Sequence, residues 1–302
     1  MSNGAEQILD VGRLRLLREV GVRGTIAGAA RSFGLTSSAV SQQLAVLERE
    51  AGTALIDRSP RGAALTGAGH VLAARATEVL DVLTAARADL DQIAGSVSGP
   101  VRVASVASAA ATFVSDAVLA LRGTHPGVSV SVVAAEPARA LDLLAAGDVD
   151  VAIVDEYDYV PLALPDFVVA TRLCVESLVL VVPAGQPRRR RATLAGLAGV
   201  EWVLPPDDAA CGLAVRSACR ESGFEPLVRW ETDDMLLLAR AVAAGHGISV
   251  LPRRSVAAVD GILIRPLHEP LMERRLSAVA RASVLGRPVV AAVIDALTDA
   301  AR

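Results

Sequence analysis

Residues Thr25 to Glu50 read TIAGAARSFGLTSSAVSQQLAVLERE. Thr25 can cap a helix, because its hydroxyl can accept from an orphan amide of the first turn. Ile26, Ala29, Ala30 and Phe33 then fall on one face at helical spacing. Gly34 predicts the end of that helix, where a tight turn calls for a positive φ. Thr36 can cap a second helix that turns Val40, Leu44 and Leu47 inward. Ala30, Gly34 and Val40 stand at offsets of four and six. A helix-turn-helix needs that arrangement: a small residue where the helices cross, a glycine in the turn, and an apolar anchor on the second helix. The outer face of the second helix carries Ser37, Ser38, Ser41, Gln42 and Gln43. These are short donors and acceptors suited to base edges, and glutamine can hold adenine bidentately. With Thr25, Arg31 and Thr36 they form the candidate DNA-reading set. Charge is a weaker guide. Residues 1–66 hold eight arginines against six acids, a net of +2, which is a faint electrostatic footprint. On spacing alone, an ordinary helical hairpin stays open as the alternative.

The rest of the chain narrows the choice. Its 302 residues suit two or three domains. Hydrophobic residues make up 52% and charged residues 21%, a globular balance. Apolar runs such as Leu178 to Val182 fall far short of the roughly 20 residues a membrane helix needs, so no membrane association is expected. Arg13, Arg15, Arg18 and Arg23 interrupt the first 25 residues, so a secretory leader is not expected either. Three cysteines, Cys174, Cys211 and Cys219, cannot build a disulfide framework, and cytoplasm is the expected compartment. All 30 basic residues are arginine. Without an ε-amine there is no Gly-Lys-Ser/Thr nucleotide loop, no Schiff-base lysine and no Ser-x-x-Lys nucleophile. Arginine can still grip phosphate or carboxylate.

Leu55 to Gly69 reads LIDRSPRGAALTGAG, a short hairpin or wing flanked by Arg58 and Arg61 and leading straight into a helix. Here the chain resembles the LysR-type bacterial transcriptional regulators. The matching residues are Ala29-Ala30, Ser38-Ala39-Val40-Ser41-Gln42-Gln43-Leu44, Leu47-Glu48, Arg58 and Arg61, and Leu65-Thr66-x-Ala68-Gly69. They occur in the family's order and spacing. The chain departs at Ile56, where the family usually has phenylalanine, and at Arg23-Gly24-Thr25, where Gly-Ser-Phe is commoner. The resemblance implies an α+β multidomain protein: an all-α winged helix-turn-helix over 1–66, a long linker helix over 67–94, and a two-lobed α/β effector-binding domain over 101–302. Arg58 and Arg61 are expected on DNA phosphates.

Residues 67–94 contain no proline, and no glycine after Gly69. Leu72, Ala76, Val79, Leu83, Ala86, Leu90 and Ile93 recur at intervals of 4, 3, 4, 3, 4 and 3. That is an a/d seam and predicts a coiled-coil dimer; a helix packed on its own chain would show a wider stripe. Two recognition helices related by a two-fold axis would read a partly palindromic double-stranded operator. The family commonly pairs such dimers, so a homodimer or homotetramer is expected.

Gly95-Ser96-Val97-Ser98-Gly99-Pro100 reads as a linker. Beyond it, β-branched runs alternate with Ala/Leu-rich stretches, as in α/β folds. Strands are expected at Val101–Val106, Val128–Val133, Val149–Val154, Leu178–Val182, Glu201–Leu204, Val228–Thr232, Ile248–Leu251, Gly261–Ile264 and Leu276–Ala280. By resemblance the chain crosses between lobes near Thr171 and Pro266. Lobe one is then 101–171 with 267–302, and lobe two is 172–266. A ligand in such a fold sits at strand carboxyl ends, against helix N-termini. That logic selects Ser108, Glu136, Asp155, Thr232 and Asp207, the last on the Pro206–Ala209 loop; each is otherwise a cap or turn residue. Asp155-Glu156-Tyr157-Asp158-Tyr159 is read as an exposed loop near the hinge, the alternative being a wall for a cationic effector. Arg188 to Arg191 reads as a solvated loop.

Peroxide-sensing family members carry paired cysteines in the region of Cys211 and Cys219, but Cys219 lies in an ordinary helix ending and is read as a structural thiol. The histidines show no metal-ligand spacing, and neither a nucleophile elbow nor a dinucleotide fingerprint is present. The expectation is a transcriptional regulator with no cofactor and no metal, not an enzyme. The alternative is a solute-binding protein or an enzyme on the same two-lobed fold.

Overall fold

A computed structural model describes residues 8–59, 62–93, 97–185, 192–256 and 259–302. Asp10 opens the first helix, α1 (Val11–Arg23), by accepting from the Arg13 amide at 2.9 Å. Thr25 caps α2 (Ile26–Phe33) through the Gly28 amide, and Thr36 caps α3 (Ser37–Ala51) through the Ala39 amide. Gly34, at φ +63°, returns its amide to the carbonyls of Ala30 and Arg31. Ala29, Ala30, Val40, Leu44 and Leu47 are buried against Leu14, Leu17 and Val20 of α1, with Ile26 and Phe33 packed at the edge. This is the inner face expected from the 3.6-residue period.

Strands β1 (Ile56–Ser59) and β2 (Gly62–Leu65) form the antiparallel wing, with Arg58 opposite Ala63. Glu48 holds the wing to α3 by accepting from the Leu55 and Ile56 amides at 2.9 and 3.0 Å. Thr66 donates to the Ala54 carbonyl and caps the next helix through the Gly69 amide. A Cβ at Gly69 would lie 2.1 Å from the Leu55 carbonyl oxygen, so only glycine lets the helix pass that close to the strand.

Helix α4 runs from Gly67 to Ile93. Its first turns belong to the head. Ala73 and Ala76 are buried in the same core as α1 to α3, and Leu72 packs against it. This corrects the expected seam: Ala76 is buried in the head's own core, and Leu72 is half-buried against it. Val79, Leu83, Ala86 and Leu90 are exposed, Leu83 by 49% and Leu90 by 62%. The Ile93 side chain lies outside the described residues.

Lobe one is built on β3 (Gly99–Ser105), β4 (Val128–Ala134) and β5 (Val151–Tyr157), with β3 parallel to both neighbours. Between β3 and β4 run α5 (Ala107–Ala109), a π-helical turn (Ala110–Val114) and α6 (Ser115–Thr124). Helix α7 (Pro137–Ala146) joins β4 to β5. Strand β6 (Val168–Pro183) is 16 residues long. Lobe two adds β7 (Ala192–Thr193), β8 (Glu201–Leu204), α8 (Ala210–Glu221), β9 (Leu227–Glu231), α9 (Met235–Ala243), β10 (Ser249–Pro252), α10 (Arg253–Val256) and β11 (Ile262–Glu269). Strand β12 (Glu273–Arg281) returns to lobe one, and α11 (Pro288–Ala301) covers it.

The sheet order β4-β3-β5-β12-β6-β11-β7 passes through both lobes, because β6 belongs to each. Its first part, Val168 to Ser177, pairs with β12; from Leu178 onward it pairs with β10 and β11. The lobe crossings therefore fall at Ser177/Leu178 and Met272/Glu273, and not near Thr171 and Pro266. Leu173 is buried in the lobe-one core, whereas Leu267 and Met272 are buried in that of lobe two. The expectation failed because one strand of unusual length serves two sheets, and strands are usually 3–10 residues. β7 was not anticipated. Among the described residues, no helix is long and apolar enough to cross a membrane.

Candidate functional site

The head presents its polar face on α3. Ser37, Ser38 and Gln42 are exposed and Ser41 is partly so, while Val40, Leu44 and Leu47 point inward. The two faces follow from the alternation of polar and apolar residues along one helix. Thr25 and Thr36 are exposed but spend their hydroxyls as caps. The Thr36 hydroxyl also lies 3.1 Å from that of Ser38. Arg31 is exposed on α2. Gln43 departs from the expected set: it accepts from Arg13 Nε at 3.1 Å, and Arg13 also pairs with Glu50. It therefore ties α3 to α1. Arg61, Arg188 to Arg191 and the Arg58 side chain lie outside the described residues.

The second site lies where the lobes meet, and its centre is Arg274, which the sequence reading missed. Arg274 opens β12 and is 1% exposed. Its Nε donates to Glu176 Oε1 at 2.9 Å, and Nη2 donates to the same oxygen. Nη1 donates to Ser108 Oγ at 2.8 Å, to Asp155 Oδ2 at 3.2 Å and to the Tyr157 hydroxyl at 3.4 Å. Burial works against its charge. The fields of Tyr157, Glu176 and Asp155 outweigh it, so the guanidinium is held protonated. The second oxygen of Glu176 accepts from the Arg254 amide at 2.9 Å.

This network gathers part of the expected effector set. Ser108 is not a helix cap, since Val106 holds that position and makes no side-chain bond there; its hydroxyl serves Arg274. Asp155 is buried at 6% exposure, and burial raises its pKa against the pull of Arg274. Glu136, at the start of α7, makes no capping bond. Burial raises its pKa, and the charges of Asp155 and Asp233 add to the rise. Thr232 accepts from the Asp234 amide at 3.2 Å, and Asp234 caps α9. Asp207 is exposed. The expected loop at Asp155–Tyr159 is confined to Asp158 and Tyr159, which form a turn with Tyr159 exposed. Asp155 to Tyr157 belong to β5, with Asp155 and Tyr157 buried by strand alternation.

Cys211 and Cys219 are both buried on α8. Eight residues of helix separate them by roughly 12 Å along its axis. Burial pushes both thiols up to about 12, leaving little thiolate to react at neutral pH.

Head and sensor are joined by a buried ion pair. Asp81 on α4 accepts from Arg281 Nε at 2.8 Å, Arg281 Nη2 at 3.1 Å and Ser283 Oγ at 2.8 Å. Arg281 Nη1 also donates to the carbonyls of Leu144 and Val149, where α7 ends.

Comparison with known proteins agrees with both halves. Residues 11–70 match the bacterial regulatory helix-turn-helix protein, lysR family, and residues 94–302 match the LysR substrate binding domain. The chain belongs to the LysR family of transcriptional regulators, with a DNA-binding head and an effector-binding domain. It is 29% identical over 299 residues to the probable HTH-type transcriptional regulator LrrA of Synechococcus elongatus, covering 97% of this chain and 98% of that one. It is 26% identical to the regulator CbbR of Rhodospirillum rubrum, with 92% of each chain covered. Two solved structures share the fold. A full-length OxyR variant from Pseudomonas aeruginosa superimposes with a TM-score of 0.76 at 20% identity, covering 96% of this chain and 95% of that one. Full-length CbnR complexed with its target DNA gives 0.57 at 22%, covering 97% and 100%.

Proposed function

We propose that the chain is a one-component regulator, not an enzyme, acting in the cytoplasm as a homodimer or a dimer of dimers. The exposed face of α3 enters the major groove, with Ser38, Ser41 and Gln42 reaching base edges and Ser37 and Arg31 beside the backbone. Arg58 and Arg61 of the wing take phosphates. The observation that carries this reading is the division of α3, on which Ser37, Ser38 and Gln42 are exposed while Val40, Leu44 and Leu47 lock it onto the head. The exposed stripe Val79, Leu83, Ala86 and Leu90 forms the dimer seam, shorter than the sequence spacing implied. A small effector sits between the lobes against Ser108, Glu136 and Asp155, with Thr232 and Asp207 on the facing loops. Its differential affinity for two lobe arrangements biases the heads.

The test is to incubate the purified protein with sheared genomic DNA of its host, and to sequence the retained fragments. A shared, partly palindromic motif is expected. Retention without any common sequence would overturn the reading.

A further inference from the structure

The guanidinium at the centre of the cleft, that of Arg274, is already occupied. Each nitrogen of Arg274 donates to a group of the chain itself. The Tyr157 ring also lies under it, at 5.9 Å from the guanidinium carbon. Around it stand Asp155 and Glu176, with Glu136 from lobe one and Asp233 from lobe two within electrostatic reach of each other. Glu176 has both oxygens bonded, to Arg274 and to the Arg254 amide. Asp155 does not. Its Oδ2 meets Arg274, but its buried Oδ1 has no hydrogen-bond partner among the described residues. A buried carboxylate oxygen without a donor is costly, and is expected to be satisfied by whatever the site holds.

A carboxylate effector would meet the wrong chemistry here. It would have to displace Ser108 or Asp155 from Arg274, and would then face Asp155 and Glu136 as like charges. A cation bearing N–H groups meets a waiting acceptor and a surplus of negative charge. We propose that this cleft selects a small organic cation with N–H donors, an ammonium, amidinium or guanidinium group, bound through Asp155 Oδ1 and the Glu136 carboxylate. The proposal rests on the inter-lobe effector site proposed above and specifies its ligand class.

The experiment is calorimetric titration of the full-length protein with four probes: agmatine, putrescine, choline and succinate. Agmatine and putrescine should bind, choline should bind at least tenfold more weakly for want of N–H donors, and succinate should not bind. D155N and E136Q should each weaken agmatine about tenfold or more, the loss of one charge-assisted hydrogen bond. Asp155 is buried, so E136Q carries the test where D155N fails to fold; a thermal melt of each variant separates the two cases. Preferential binding of succinate, weakened by S108A, would overturn the cationic class and leave the effector cleft standing. Choline binding as tightly as agmatine would overturn the hydrogen-bonding role of Asp155. Agmatine binding unchanged in both variants would place the ligand elsewhere and overturn the cleft as well. Failure of both amines to bind would overturn the proposal.

Discussion

A methyl group at position 69 would sit 2.1 Å from the Leu55 carbonyl oxygen, while at Gly67 it would meet nothing within 4 Å. Gly69→Ala should therefore lower the head's stability by about 1–3 kcal/mol through overpacking, while Gly67→Ala should cost no more than about 0.5 kcal/mol. Urea unfolding of the two variants checks this; equal midpoints would mean the helix and wing can part freely. Position 69 was readable in the sequence as part of a spaced motif, and so were Ala30, Gly34 and Val40, because local geometry fixes each of them. Arg274 was not readable. Its partners Ser108 and Glu176 lie 166 and 98 residues away, and nothing in Glu273-Arg274-Arg275 separates the buried arginine from its neighbour. Strand alternation could have supplied the signal, since Arg274 and Leu276 share a face and Leu276 is fully buried.

Helix α4 shows why a periodic pattern can name an element and misplace its partner. Its apolar repeat is continuous, but Ala76 is buried by the head, Leu72 is half-buried against it, and the exposed stripe starts at Val79. Leu83→Asp places an unpaired carboxylate at the middle of that stripe, costing a dimer several kcal/mol. Sedimentation should find the variant reduced to a smaller species, and an unchanged species would refute the seam. The opposite side of the helix carries Asp81, held by Arg281 and Ser283. Asp81→Asn strands Arg281 in a buried site, and removing one partner of such a pair costs about 3–5 kcal/mol. Calorimetry should then show the head melting apart from lobe one, and a single unshifted transition would mean that the pair does not couple them. Strand β6 teaches the same lesson for the sensor. Its C-terminal apolar run, Leu178 to Val182, was visible, but the continuous strand through both lobes depends on pairings with β12, β10 and β11 that no local stretch encodes.

At the scale of the whole molecule, the cleft leaves a signature in pH. Glu136 and Asp155 have pKa values raised by burial, with Arg274 opposing the rise. Asp233, Glu176, Tyr157 and Cys211 complete the facing titratable groups. A carboxylate raised on folding binds more protons in the folded state. Its contribution to stability is full below the unfolded value near 4, and is lost as pH rises through the folded value. Glu136→Gln removes that loss. The melting temperature of the variant relative to the parent should therefore rise between pH 4 and pH 8, and a constant difference would show that Glu136 is not under strain in the cleft.

The central claim is that the solvent face of α3 reads sequence, and the most direct measurement is a titration of the protein against its selected operator and a scrambled duplex at one fixed salt concentration. The parent should prefer the operator by about a thousandfold or more. Gln42→Ala should lose on the order of 1–3 kcal/mol on the operator, regain part of it when one base pair is changed, and bind the scrambled duplex as the parent does. Equal losses on both duplexes, or a parent that binds both alike, would contradict the account.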